Sequence, residues 1–138
     1  MGTSAQFATT PNAGAPATLT AANTALDGTG ATGRALIYTA GASGSILPYV
    51  QGQHLGTNSN PGVLRFFKNN GSDPEVAGNN SLIKEHAFLA NTLSQSAVSV
   101  PMPIPLNVRL AAGEKIYVTL SVAATAGIRV TPMNGADF

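Results

Sequence analysis

The chain of 138 residues has no cysteine and no tryptophan, and only 9% of its side chains are charged. Without cysteine it forms no disulfide, offers no thiolate to a metal and carries no thiol nucleophile. Soluble domains average about 25% charged residues. So sparse a charge points to a surface that does not all face free water. Aromatic residues are also scarce, at 6%, so a core has to be built from Leu, Ile and Val with a few Phe and Tyr. The seven basic residues, Arg34, Arg65, Lys68, Lys84, Arg109, Lys115 and Arg129, are scattered singly among six acids, for a formal charge of +1. They make no patch that could neutralise a phosphate backbone, so nucleic acid is not an expected partner. The opening MGTSAQFATT has neither a basic nor an apolar leader region, and no window approaches the ~18 apolar residues of a membrane span. No secretion signal and no membrane are expected. Met1-Gly2 resembles a myristoylation start, but Gln6 stands where Ser or Thr is required.

What remains is 43% apolar, enough for one domain with a core and too little for two. Residues 1–33 differ from the rest: Ala, Thr, Gly and Asn dominate, Pro11 and Pro16 interrupt, and the first charge is Asp27. Leu19 is the only large apolar side chain in the extended piece around it. One such residue does not offset the ordering entropy of the segment. These residues therefore read as an arm that must lie on something when ordered.

From residue 34 onward, short runs of β-branched and aromatic residues alternate with Gly, Asn and Pro clusters. Strands are predicted at residues 35–39, 45–55, 62–69, 81–89, 106–110, 115–123 and 127–132, which suggests an antiparallel β-sandwich over 34–138. In residues 108–122, Val108, Leu110, Ile116, Val118, Leu120 and Val122 alternate with polar or small neighbours around a turn at 111–114. The pattern predicts a half-buried hairpin. A second hairpin is expected to turn at Ala126-Gly127 and return with Ile128 and Val130 on one face. In VPMPIPL, residues 100–106, alternate prolines remove ladder donors, so this piece is an edge or a crossover between sheets. The nearest approach to a helical stripe is 82–93, and strand is the better reading there. No repeat is visible.

The stretch DGTGATG, residues 27–33, contains GxGxxG. In dinucleotide sites that fingerprint follows a strand, opens a phosphate-binding helix and is followed about 20 residues later by an acid. Here a polar arm precedes it, the strand-like RALIYTAG follows, and no acid occurs before Asp73. The glycines read instead as a hinge of Asp27, Gly28, Gly30 and Gly33 between arm and sandwich, with Asp27 accepting backbone N–H groups to brace the turn. His54 and His86 fall in predicted strands, and Glu85 points away from His86, so neither a dyad nor a metal site is expected. GASGS, residues 41–45, lacks the last glycine of a nucleophile elbow. Asp73 and Glu75 flank Pro74 in NNGSDPEVAGNN, which reads as an Asn-Gly turn without EF-hand spacing. The sequons at Asn70 and Asn79 carry meaning only on a secretory route. No catalytic residue, metal or cofactor is expected. Few titratable groups, an uncharged arm and proline-rich edges favour an interaction module over an enzyme.

FATTPNAGAPATLTAANTALDGTG, then IYTAGASGSI, the later LAAGEKIYVTLS and the ending NGADF resemble a family of small tailed-phage virion proteins. The likeness is one of order and composition. It is strongest in residues 7–46 and has no counterpart for PYVQGQHLGTNSNPG. The body also resembles the jelly-roll or β-sandwich decoration (cement) proteins of phage heads. The resemblance implies an all-β, jelly-roll-like sandwich with an extended N-terminal arm, trimeric and without enzymatic activity, on the capsid surface. Its partner would be the major capsid protein, contacted through Phe7, Pro11, Pro16, Leu19 and Leu26. A tail or adaptor component is the alternative within the virion. A carbohydrate-binding sandwich is the alternative outside it, and that reading requires exposed aromatic side chains.

Overall fold

The computed structural model describes residues 7–138. The first six residues of the expected arm, including the Met1-Gly2 opening, lie outside the described residues. The strands are β1 (Thr10–Pro11), β2 (Ala17–Leu19), β3 (Arg34–Thr39), β4 (Ser45–His54), β5 (Gly62–Asn69), β6 (Asn80–Phe88), β7 (Met102–Leu110), β8 (Lys115–Leu120), β9 (Ile128–Met133) and β10 (Ala136–Asp137). A three-residue 3-10 turn, Ala77–Asn79, precedes β6. They form two antiparallel sheets packed as a β-sandwich, as expected.

In the first sheet, β4 pairs with β7 along one side; along the other it pairs with β9 through residues 49–54 and with β10 at residues 45 and 46. β9 and β10 are thus two parts of one strand, interrupted where Asn134 takes φ 60° and Gly135 packs against the Tyr38 ring. β2 pairs with β9 and β1 with β10, so the N-terminal strands form one broken edge. The second sheet runs β3-β8-β5-β6. Between the sheets, Leu64 and Phe66 of β5, Ile116, Val118 and Leu120 of β8, Leu47 and Val50 of β4 and Ile104 of β7 are fully or almost fully buried. Each such side chain contributes about 1.5–3 kcal/mol of apolar burial.

Three local expectations are corrected. Residues 108–122 are not a hairpin: β7 belongs to the first sheet and β8 to the second. The turn between them, closed by Glu114 N–H donating to Ala111 O at 3.1 Å, carries the chain across the sandwich. Alternation marks an inward face but not the partner strand. β8 takes a central place between β3 and β5, with Tyr117 and Thr119 buried on its other face as well. The segment turning at Ala126-Gly127 also changes sheets, although Ile128 and Val130 do share the buried face. The sequential hairpin that forms is β5–β6.

The third correction is the arm. Ala17–Leu19 is a strand of the sandwich, and Leu19 is only 3% exposed, within the core cluster. The burial that Leu19 alone could not provide is supplemented by the backbone ladder to residues 128–130 of β9. Of the two expectations for the proline segment, edge or crossover, the structure has the edge. β7 pairs only with β4, and because alternate residues of a strand direct their N–H groups to one side, Pro103 and Pro105 leave that ladder intact.

Candidate functional site: the N-terminal edge and the loop end

The edge formed by β1 and β2 is fastened by the end of the chain. Asp137 Oδ1 accepts from Asn12 Nδ2 at 3.0 Å and from Gly41 N–H at 3.2 Å. The Asn12 bond in particular holds this carboxyl below its ordinary 3.8. Ala15 N–H donates to Ile37 O at 2.7 Å, and Phe138 N–H to Gly44 O at 3.1 Å. The Arg109 guanidinium lies over the Phe138 ring, 4.4 Å from its centroid. The ending NGADF is therefore a clamp on the first strand. Of the five side chains expected to contact a coat protein, Phe7, Pro11, Pro16 and Leu26 are exposed, and Leu19 is not. Leu19 is withdrawn from that set because burial in its own core removes it from any partner.

DGTGATG follows this edge along the chain, and its contacts are those of a packed turn rather than of the expected hinge. Asp27 Oδ1 does brace the turn, accepting from the Thr29 N–H at 3.1 Å and the Thr29 hydroxyl at 2.6 Å, which lowers its pKa. Gly28, Gly30 and Gly33 all take positive φ. A Cβ on Gly33 would come 2.6 Å from Ala21 O, so this glycine serves close packing rather than swing. Asn23, almost buried, donates through Nδ2 to the carbonyls of Thr29, Gly30 and Thr32. The loop is then pinned to the outer side of the second sheet. Arg34 Nη1 donates to Gly28 O at 3.1 Å and pairs with Glu75 at 2.6 Å, and Asn80 Nδ2 donates to Asp27 O at 3.0 Å. Arg34 also lies 5.4 Å over the Tyr117 ring. A strand, β3, follows the glycines where a phosphate site needs a helix. Asn23 was missed in the sequence because an isolated Asn among Ala and Thr carries no spacing that marks it.

At the other end of β4, His54 is buried and its Nδ1 faces Asn58 Nδ2 at 2.9 Å. Asn58 Nδ2 also donates to Gly127 O at 3.3 Å, which makes the amide the donor and places the imidazole proton on Nε2. Burial holds His54 below 6.5, and burial together with Lys84 does the same to His86. The Phe88 ring meets His54 edge to face at 5.6 Å. Around them is a cavity of about 300 Å³ lined by His54, His86, Phe88, Leu89, Val100 and Met102 among others. Leu55, Leu89, Val98 and Val100 are exposed at this end.

The two histidines share the cavity with apolar neighbours and Asn91. Among the described residues, no three His, Asp or Glu side chains stand together to hold a metal ion. Glu75 is engaged by Arg34, and the Ser45 hydroxyl, buried, donates to Ala136 O at 2.9 Å and contacts the Tyr38 hydroxyl. No protein-family model matches the chain, and no curated protein or solved structure does either.

Proposed function

We propose that this chain is a structural virion protein of a tailed phage that decorates the outside of the head and cements neighbouring capsomers. The observation that carries the reading is the N-terminal edge: Pro11 and Pro16 are exposed along it, Leu26 is exposed just after it in the chain, and Leu19 and Asp137 hold it rigid. Prolines on an edge oppose strand addition, so the contact with the coat protein is made by side chains on a preformed surface. Rigidity lowers the entropy lost on docking, and the scarcity of charge lowers the desolvation cost.

The strand order supports the same reading. With β1/β2 and β9/β10 each counted as one strand, the first sheet holds strands one, eight, three and six of eight, and the second holds two, seven, four and five. We read this order as a jelly roll, an architecture of viral capsid and lectin domains. The lectin alternative needs several exposed aromatics on one face, whereas Tyr38, Phe66, Phe67, Phe88 and Tyr117 are buried and, among the described residues, Phe7 alone is exposed. In a trimer, three weak contacts act at high effective concentration, and that multivalency is the cementing mechanism.

The test introduces Pro16→Asp and Leu26→Asp, both at exposed positions, and measures co-sedimentation with undecorated heads. Loss of at least tenfold in affinity supports the reading. Unchanged decoration by the double variant overturns it, and binding to tails alone moves the protein to the tail or adaptor role.

A further inference from the structure

We infer that the cavity at the loop end is a socket for Phe7 of a second copy of this chain, so that subunits associate head to tail. Phe7 is the only aromatic side chain among the described residues that is exposed, at 76%. The cavity, at about 300 Å³, has an aromatic wall and is roomier than the hollow of about 220 Å³ beside Tyr38. A cavity of about 150 Å³ accommodates a benzene ring, so a phenyl side chain fits with room for its stem. The edge-to-face pair of His54 and Phe88 supplies ring surface for a third aromatic group, and Met102 and Val100 supply apolar contact.

The three longest runs without a charged side chain are residues 1–26, 35–64 and 86–108. Every residue lining the cavity comes from the second and third of these, and Phe7 comes from the first. Socket and knob are thus matched in having no charge to desolvate. The knob belongs to another subunit because its own socket is out of reach. Phe7 precedes Thr10, which is paired beside Asp137 and so beside Ser45, at the start of β4. The cavity is at the far end of that strand, at His54. Ten residues of strand span roughly 33 Å, and three residues of chain reach about 10 Å.

A knob at one end and a socket at the other make a heterologous contact, which closes into a ring or grows into a chain according to its rotation. This assigns Phe7 to the neighbouring subunit and leaves Pro11, Pro16 and Leu26 to the coat. The contact stands whether or not the coat protein is the partner.

The experiment is sedimentation equilibrium on the full chain and two variants at exposed positions, Phe7→Ala, which removes the knob, and Val100→Asp, which charges the rim of the socket. The wild type is expected to self-associate, with each variant weakened at least tenfold. An equimolar mixture of the two is expected to form a dimer and stop there, since one intact knob meets one intact socket. A wild type that stays monomeric to millimolar concentration overturns the inference. So does Phe7→Ala self-associating like the wild type, or a mixture that gains nothing over its components.

Discussion

Asn12 and Asp137, 125 positions apart, are joined by a hydrogen bond of 3.0 Å from the Asn12 amide to the carboxylate. The first and last strands of the sandwich are thereby locked to each other, and the N-terminal edge is part of the body. Asn12→Ala removes this bond together with the Asn12 bonds to Thr39 O and from Gly14 N–H, and is expected to cost about 1–3 kcal/mol at neutral pH. The Asp137 carboxyl titrates below 3.8 in the folded chain, so its contribution is present above that pH and is lost as pH falls through the lower folded value. Urea titrations at pH 7 and in strong acid check this: the gap between wild type and Asn12→Ala narrows in acid.

Leu19 is a core residue, and Leu19→Ala is expected to lose about 2–5 kcal/mol by cavity formation. Leu26→Ala, at an exposed position, is expected to stay within about 0.5 kcal/mol of wild type. Denaturant midpoints of the two variants separate a strand of the sandwich from a free arm, which would make both substitutions neutral.

Gly33 takes φ 73° and faces Ala21 O at 2.6 Å from where a Cβ would be. Gly33→Ala is expected to cost about 1–3 kcal/mol or more through backbone strain and overpacking. A thermal melt of this variant decides between a packed turn and a hinge, since a hinge accepts alanine without loss.

His54 is held neutral by burial, with its Nδ1 committed to Asn58. Its folded pKa lies below 6.5, so as pH falls past 6.5 the unfolded chain takes up a proton that the folded chain does not. Stability therefore declines, by at most about 1.4 kcal/mol per pH unit for one such proton. His86 acts with the same sign. Melting temperatures between pH 8 and pH 5 are expected to fall in the wild type and to fall less in His54→Gln.

The body of the fold was legible because its strands carry β-branched and aromatic runs between turn residues, and the seven predicted strands of residues 34–138 coincide with β3 to β9 to within a few residues. What stayed hidden was pairing. Residues 108–122 alternate as a hairpin does, yet Leu110 and Ile116 face one core from opposite sheets, and local period does not encode that choice. The first strand was hidden because Ala17 and Thr18 have little to bury, so its order comes from the β9 ladder and from Asp137, contacts more than 100 residues distant. At the candidate site, Pro11, Pro16 and Leu26 were readable as exposed apolar groups in an uncharged stretch. The rigid loop was not, because three glycines look the same in a swinging joint and in a turn clamped by Asn23.

The most direct test of the proposed virion role is electron cryomicroscopy of the phage particles, if any, produced from the genome that encodes this chain. A head decoration protein gives density for the eight-stranded sandwich on the outer surface of the head, with the edge bearing Pro11 and Pro16, and Leu26 beyond it, against the coat lattice. Density for this chain on the tail alone, or particles containing none of it, would contradict the account.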